Sequence, residues 1–122
     1  MTTRKKFLVD VSPLSEKLRK FADERDWGKF HTPKNLAMAL SVEVSELVEI
    51  FQWLSEGEAM QVMEKKSSQV EDELADILSY LVRISDVLGV DLSAAIERKM
   101  AKNAAKYPVE LSKGRATKYD DL

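Results

Sequence analysis

Apolar residues recur every three or four positions along most of the chain, which is the spacing of amphipathic helices. One apolar stripe consists of Leu36, Leu40, Val44, Leu47, Phe51 and Leu54. A second stripe consists of Val70, Leu74, Ile77, Leu78, Leu81, Ile84 and Leu88. No stretch alternates apolar and polar residues for long enough to predict a strand. The pattern therefore predicts an all-α fold that resembles a four-helix bundle.

Serine, threonine and proline residues indicate where the first two helices begin. Ser12 before Pro13 predicts an N-cap with proline at the first helical position, and the first helix is expected to reach about Asp26. Thr32 before Pro33 repeats the signal and predicts the start of the second helix.

The remaining boundaries follow from similar signals. The second helix is expected to end at residues 55–57, and a polar connector over residues 58–66 leads to the third helix. Gly89 predicts the end of that helix. Asp91 predicts the cap of a fourth helix, which must end before Pro108.

Length and composition indicate one folded domain over residues 1–122, with a basic and then acidic C-terminal tail at 109–122 that is expected to be irregular. The chain has no cysteine and one histidine, which excludes disulfides, thiol catalysis and thiolate zinc sites. The net charge of −2 gives no general attraction to a nucleic acid polymer or a membrane. No apolar run approaches the roughly 20 residues of a membrane span. The first residues lack the apolar core of a signal peptide, so we expect a cytoplasmic location.

Acidic residues are concentrated in the two central helices. Ten acids and only two bases, both lysines, lie between residues 35 and 82, whereas the flanking segments are basic. Two acidic pairs at a spacing of three border the apolar stripes: Glu43 with Glu46, and Glu73 with Asp76. If the two helices pack antiparallel, four carboxylates converge in a half-buried space with no base beside them. A hard divalent cation such as Mg²⁺ would offset the cost of burying these charges. Paired surface acids without a ligand are the alternative, and the residues alone leave both interpretations open.

Several other side chains are candidates for binding a nucleotide. Trp27 and Trp53 could stack on a base or could fill the core or an interface. His31 could bond to the base or sugar, or could be structural. Tyr80 shares a helix face with Asp76 and could contact the sugar or only a carboxylate. A further group shares one face of the fourth helix and suits either phosphate oxygens or solvent: Lys99, Asn103 and Lys106.

Five motifs together resemble the MazG-like superfamily of all-α nucleoside triphosphate pyrophosphatases. They are the two acidic pairs taken together, and the segments at residues 21–36, 46–53, 99–108 and 118–122. The likeness covers nearly the whole chain. One departure is Lys106, where the family pattern has arginine, so a two-pronged phosphate contact is replaced by a point charge.

The resemblance implies cleavage of a nucleoside triphosphate to the monophosphate and pyrophosphate. The favoured substrate is dCTP or a modified dCTP, and the favoured role is cleansing of the nucleotide pool. It also implies Mg²⁺ held by the four acids of the two pairs, and a homodimer or a tetramer built from dimers. It places Trp27, Trp53, His31 and Tyr80 at the nucleoside, and the fourth-helix stripe at the phosphates. Glu46 or Glu73 is the candidate general base for the attacking water.

The sequence is also compatible with two other functions. The chain could be a non-catalytic helical module whose acidic face binds a basic partner. It could also keep the fold and act on other nucleoside triphosphates or on phosphoribosyl-ATP.

Overall fold

The computed structural model describes residues 6–122, and within that range the regular structure is helical. The helices are α1 (Ser12–Glu24), α2 (Pro33–Phe51), α3 (Glu56–Met60), α4 (Val62–Leu88), α5 (Leu92–Lys106) and α6 (Val109–Ser112), followed by a 3₁₀ turn at Tyr119–Asp121. The all-α fold class is confirmed. None of the helices in this range has the length and apolar character needed to cross a bilayer. The expectation about a signal peptide concerns in part residues 1–5, which lie outside the described residues.

Helix α1 begins and ends earlier than the sequence predicted. Val11, and not Ser12, occupies the N-cap, and it makes no side-chain cap hydrogen bond. Pro13 tolerates this shift because the N–H groups of a first helical turn have no intrahelical partner. At the other end, Asp26 has a left-handed φ of 56°, a conformation that aspartate tolerates better than most residues. The chain therefore turns before Asp26.

The predicted caps of α2, α4 and α5 are confirmed. The Thr32 side chain accepts a hydrogen bond from the Asn35 backbone N–H at 3.3 Å. Gly89 ends α4 in the left-handed conformation, with φ of 70°. Asp91 accepts a hydrogen bond from the Ala94 backbone N–H at 3.1 Å. These three signals fix the helix boundaries on either side of the acidic segment.

The polar connector predicted over residues 58–66 is wrong, because most of it is helical. Ser55 and Glu58 form a reciprocal capping box that starts α3. Helix α4 then begins at Val62 and is kinked at Lys66, whose φ and ψ are non-helical. Helix α2 also stops at Phe51, earlier than expected.

Residues 11–90 form one compact unit, which contains α1 to α4. Helices α1, α2 and α3 all pack against α4, and the buried apolar side chains are Ala22, Leu36, Val62, Val70 and Val82. His31, just before α2, contacts Arg83 late in α4, whereas Ile50 late in α2 shares a cavity wall with Lys66 early in α4. Helices α2 and α4 are therefore antiparallel, as the acidic pairs required.

A second compact unit contains residues 91–122 together with residues 6–10. The tail is more regular than predicted, because α6 and the 3₁₀ turn lie within it. The Tyr119 ring contacts the Tyr107 ring edge-on at 6.1 Å, and the Lys106 ammonium lies 4.6 Å from its centroid. These contacts hold the end of the chain against the end of α5.

Candidate active site

The antiparallel packing of α2 and α4 brings acidic side chains from both helices together. Glu43, Glu73 and Asp76 each offer a carboxylate oxygen, and these three oxygens all lie within 4.8 Å of one another. One oxygen of Glu43 and one of Glu73 are buried without a hydrogen-bond partner. Ionised carboxylates only accept hydrogen bonds, so these oxygens are satisfied by a hydrogen-bond donor, a proton or a cation. We call these three residues the acid cluster.

Glu46 lies beside the acid cluster and not within it. Its charge acts on both Glu43 and Glu73, and it lines a neighbouring cavity together with Glu73. Lys66 lines the same cavity, so the expectation that no base lies near the four carboxylates is wrong at this point. The structure thus brings three of the four predicted ligands onto one position and leaves the fourth at its edge.

Crowding of the carboxylates changes their proton affinity. The neighbouring Glu73 carboxylate, followed by burial and the charge of Glu46, raises the pKa of Glu43 to about 7. For Glu73, hydrogen bonding to Glu43 lowers the pKa, but burial and the charges of Glu46 and Asp76 outweigh it, and the pKa is raised. Like charges held this close favour either a shared proton or a bound cation.

The donor set of the acid cluster suits a hard divalent cation. It consists of oxygen atoms from two helices, partly buried, with two atoms unpartnered. Mg²⁺ binds through carboxylate oxygens and retains coordination positions for water and substrate phosphate. The residues present therefore fit a divalent metal ion.

An aromatic pocket adjoins the acid cluster and shares Asp76 with it. The pocket has a volume of about 280 Å³. It is lined by Leu18, Phe21, Trp27, His31, Asp76, Ser79, Tyr80 and Arg83. Three of the predicted nucleoside contacts therefore line the same pocket as Asp76, a predicted metal ligand. They are Trp27, His31 and Tyr80. A flat aromatic ring next to carboxylates is an arrangement that suits a nucleoside joined to phosphates.

The loop between α1 and α2 holds the aromatic side of the pocket. The Trp27 backbone N–H donates to the Ala22 carbonyl at 2.9 Å, and the His31 N–H donates to the Trp27 carbonyl at 3.1 Å. The Trp27 ring lies 5.7 Å from Phe21 and 6.0 Å from His31, centroid to centroid. Asn35, which could have been a base contact, donates its side-chain amide to the Phe30 carbonyl at 3.1 Å and so fastens this loop.

The sequence did not reveal Arg83, which lines the pocket, or the two residues bonded behind it, Asp86 and Arg19. Arg83 donates from Nε to Nδ1 of His31 at 3.0 Å and from Nη1 to Asp86 at 3.0 Å. Arg19 donates to both carboxylate oxygens of Asp86, at 3.0 and 2.7 Å. A signal existed: Arg83 lies three residues after Tyr80 and seven after Asp76, so all three share a helix face.

Other predicted site residues lie elsewhere. The structure leaves Trp53, after the end of α2, 85% exposed and outside the aromatic pocket of its own chain. Lys99, Asn103 and Lys106 are exposed on α5, which belongs to the second compact unit. The roles assigned to these four residues stay predictions.

The chain belongs to the MazG-like family, whose model matches residues 38–122. It is 43% identical over 122 residues to dCTP pyrophosphatase 1 of Rattus norvegicus, a match that covers 95% of this chain and 72% of the relative. It is 38% identical over 123 residues to dCTP pyrophosphatase 1 of Homo sapiens, with coverage of 96% and 72%. A crystal structure of a pyrophosphatase from Archaeoglobus fulgidus matches with a TM-score of 0.77 and 45% identity, and covers 87% of this chain and 99% of that one.

Proposed function

We propose that this chain hydrolyses dCTP or a modified dCTP to the nucleoside monophosphate and pyrophosphate. It is a nucleoside triphosphate pyrophosphatase, as its MazG-like membership and its dCTP pyrophosphatase relatives support. The observation that carries the proposal for this chain is the position of Asp76. This residue belongs both to the acid cluster and to the wall of the aromatic pocket. One ligand can therefore place a base in the pocket and phosphates at the carboxylates.

Glu43, Glu73 and Asp76 would hold Mg²⁺, and Glu46 stands next to them as the fourth predicted ligand. When bound, Mg²⁺ supplies charge neutralisation for triphosphate oxygens and lowers the pKa of water. The unpartnered oxygens of Glu43 and Glu73 support this assignment, because an unfilled acceptor in a buried position is costly.

Glu46 or Glu73 would accept the proton of the attacking water. The water oxygen forms a bond to phosphorus while the bridging P–O bond breaks, and the products are the monophosphate and pyrophosphate. Glu46 lies at the edge of the acid cluster and lines an open cavity through which water can enter. Glu73 lines the same cavity and also belongs to the acid cluster. Glu46 and Glu73 therefore both remain candidates for the general base.

The nucleoside would lie in the aromatic pocket. Trp27 provides a face for stacking, and Tyr80 lies next to Asp76 where the sugar joins the phosphates. Trp53 is proposed as a second base contact. Lys99, Asn103 and Lys106 are proposed as phosphate contacts. The roles of these four residues are proposed because each lies in a segment that resembles a motif of the family.

Self-association, as a homodimer or as a tetramer of two dimers, forms part of the proposal. Large apolar side chains on the first unit are widely exposed, among them Val48, Trp53 and Met60. An excess of large exposed apolar side chains supports a subunit interface. We also propose that the protein acts in the cytoplasm. Sedimentation velocity over a range of protein concentrations tests the assembly state.

A product assay tests the activity. The protein is incubated with each canonical and cytosine-modified dNTP and Mg²⁺, and the products are resolved by ion exchange. We expect monophosphate and pyrophosphate from dCTP, and loss of both with EDTA or in Glu73→Gln. Glu71→Gln, an exposed acid two residues away, is the matched control and should retain activity. Release of orthophosphate, or no turnover of any triphosphate, would contradict the proposal and favour a non-catalytic module or another substrate.

A further inference from the structure

Arg83 is a buried cation in the wall of the aromatic pocket, and it has a defined partner on each side. Its side chain reaches His31 through Nε and Asp86 through Nη1, each at 3.0 Å. The residue as a whole is only 9% exposed. A buried guanidinium with fixed partners cannot rotate freely, so it fixes the orientation of the His31 ring that it contacts.

The contact with Arg83 determines which ring nitrogen of His31 carries the proton. Arginine stays protonated and can only donate, so Nδ1 of His31 must offer its lone pair. A neutral imidazole has one N–H, which then lies on Nε2. Burial, together with the positive charge of Arg83, lowers the pKa of His31, and the neutral form therefore prevails at pH 7. Within residues 6–122 the His31 ring is hydrogen-bonded through Nδ1, which leaves Nε2–H available to a ligand.

Asp86 and Arg19 keep Arg83 in place. Asp86 accepts hydrogen bonds from both arginines, and Arg19 binds it with two parallel bonds from α1. A carboxylate bound in this manner has little freedom to turn away. The chain of contacts from Arg19 through Asp86 and Arg83 to His31 is therefore a rigid support for one tautomer.

We propose that Arg83 is a positioning residue that locks His31 as the Nε2–H tautomer, so that His31 presents a hydrogen-bond donor to the base. This inference rests on the proposed function for its substrate class. A fixed donor requires an acceptor on the edge of the base. Cytosine has acceptors at both N3 and O2, whereas uracil and thymine carry N–H at N3. All three bases accept at O2, so the discrimination lies at N3: where Nε2–H meets N3, the locked tautomer favours cytosine and disfavours uracil and thymine.

The tautomer can be observed directly because His31 is the only histidine of the chain. The full-length protein, labelled with ¹⁵N-histidine, gives one pair of ring-nitrogen signals. We expect a protonated Nε2 and an unprotonated Nδ1 at pH 7. In Arg83→Met the two tautomers should mix, whereas Arg98→Met, the same change at an exposed position on α5, should leave the spectrum unchanged. Arg83→Lys retains a donor and should restore part of the preference.

Steady-state kinetics with dCTP and dUTP test the consequence for specificity. Arg83→Met should raise KM for dCTP by about 2- to 10-fold, because only the share of His31 that keeps both Nε2–H and its orientation donates to the base, with kcat changed less. KM for dUTP should change little, so the preference for dCTP falls. His31→Ala removes the donor altogether and should lower the preference for dCTP at least as far, and adding Arg83→Met to it should have no further effect.

The outcomes separate this inference from the proposed function. Protonated Nδ1 in the wild-type protein, or equal losses for dCTP and dUTP in Arg83→Met, would overturn the inference while dCTP hydrolysis stands. Absence of any triphosphate hydrolysis would overturn the proposed function, while the nitrogen spectrum would still decide the tautomer. Where Arg83→Met does not fold, Arg83→Lys and His31→Ala supply the kinetic comparison, and the wild-type spectrum supplies the tautomer.

Discussion

Arg19 on α1 and Asp86 on α4 are joined by two parallel hydrogen bonds of 3.0 and 2.7 Å. The Asp86 side chain is only 17% exposed, and it also accepts a bond from Arg83. The buried Arg83 thus depends on Asp86 for its counter-charge. This carboxylate holds α1 against α4 and stabilises the wall of the pocket at the same time.

Asp86→Asn should lower the free energy of unfolding by about 2 to 4 kcal/mol at pH 7, because Arg83 loses its charge partner. The hydrogen bonds from Arg19 hold the pKa of Asp86 below its ordinary value, despite some desolvation. The stabilisation is therefore complete above the unfolded-state pKa of about 3.9 and is lost as pH falls through the lower folded-state value. Urea unfolding at a series of pH values measures it, and the difference between wild type and variant should shrink on acidification below about pH 4.

Glu24→Gln is the control for that experiment, since Glu24 makes only exposed ion pairs at 3.9 Å. It should change stability by less than about 0.5 kcal/mol. An Asp86→Asn variant as stable as this control would show that the paired carboxylate contributes no net stability.

Glu43→Gln should stabilise the metal-free protein and abolish its response to Mg²⁺. An amide removes one of the crowded negative charges and can donate to a neighbouring carboxylate, but it is a poor ligand for Mg²⁺. Thermal unfolding in EDTA should give a higher midpoint than for the wild type. Adding Mg²⁺ should raise the midpoint of the wild type only.

Hydrolysis of dCTP by Glu43→Gln should fall by about 10²-fold or more. Asp72→Gln, at an exposed position on α4 outside the acid cluster, is the control and should retain the Mg²⁺ response. The assignment of the metal site would be wrong if Mg²⁺ stabilised Glu43→Gln and the wild type equally.

Trp27→Ala should raise KM for dCTP by about 5- to 150-fold, the equivalent of 1 to 3 kcal/mol of lost stacking on the base. Phe30→Ala offers a matched control, because Phe30 is in the same loop but is 60% exposed and does not line the pocket. Initial rates over a range of dCTP concentrations give both KM values. Equal effects from the two variants would place the base elsewhere.

Gly89→Ala should destabilise the protein by about 1 kcal/mol, because Gly89 has a φ of 70° that L-residues disfavour. A Cβ at this position meets no atom within 4 Å, so the cost is one of backbone conformation and not of packing. Gly57→Ala in α3 also meets open space and should be neutral or stabilising, since alanine favours a helix. Thermal or urea unfolding of both variants provides the comparison.

The sequence predicted a helix start or end correctly where a single cap residue determines it. Thr32, Gly89 and Asp91 each act through their own side chain or backbone, and each is confirmed. Ser12 failed because a first turn with proline needs no side-chain cap. Helix α3 is short and mostly polar, so apolar spacing does not reveal it, and only the Ser55 and Glu58 capping box marks its start.

The acidic pairs could be found in the sequence because their spacing places both members on one helix face. Their meeting depends on the direction of α4 relative to α2, which the spacing does not contain. Arg83 was missed for a related reason. Its role depends on His31, 52 residues away, and only the folded chain brings an arginine and a histidine of that separation within 3.0 Å.

Asp76 belongs to two neighbourhoods at once, that of the carboxylates and that of the aromatic rings. If Asp76 both holds the metal ion and contacts the nucleoside, as proposed, their affinities are coupled, and by reciprocity each alters the binding of the other by the same factor. On the proposed assignment, redesign of the pocket for a different base would therefore also change how activity depends on the concentration of the divalent metal ion. A preference for one base that is measured at a single concentration of the metal ion would hold only at that concentration.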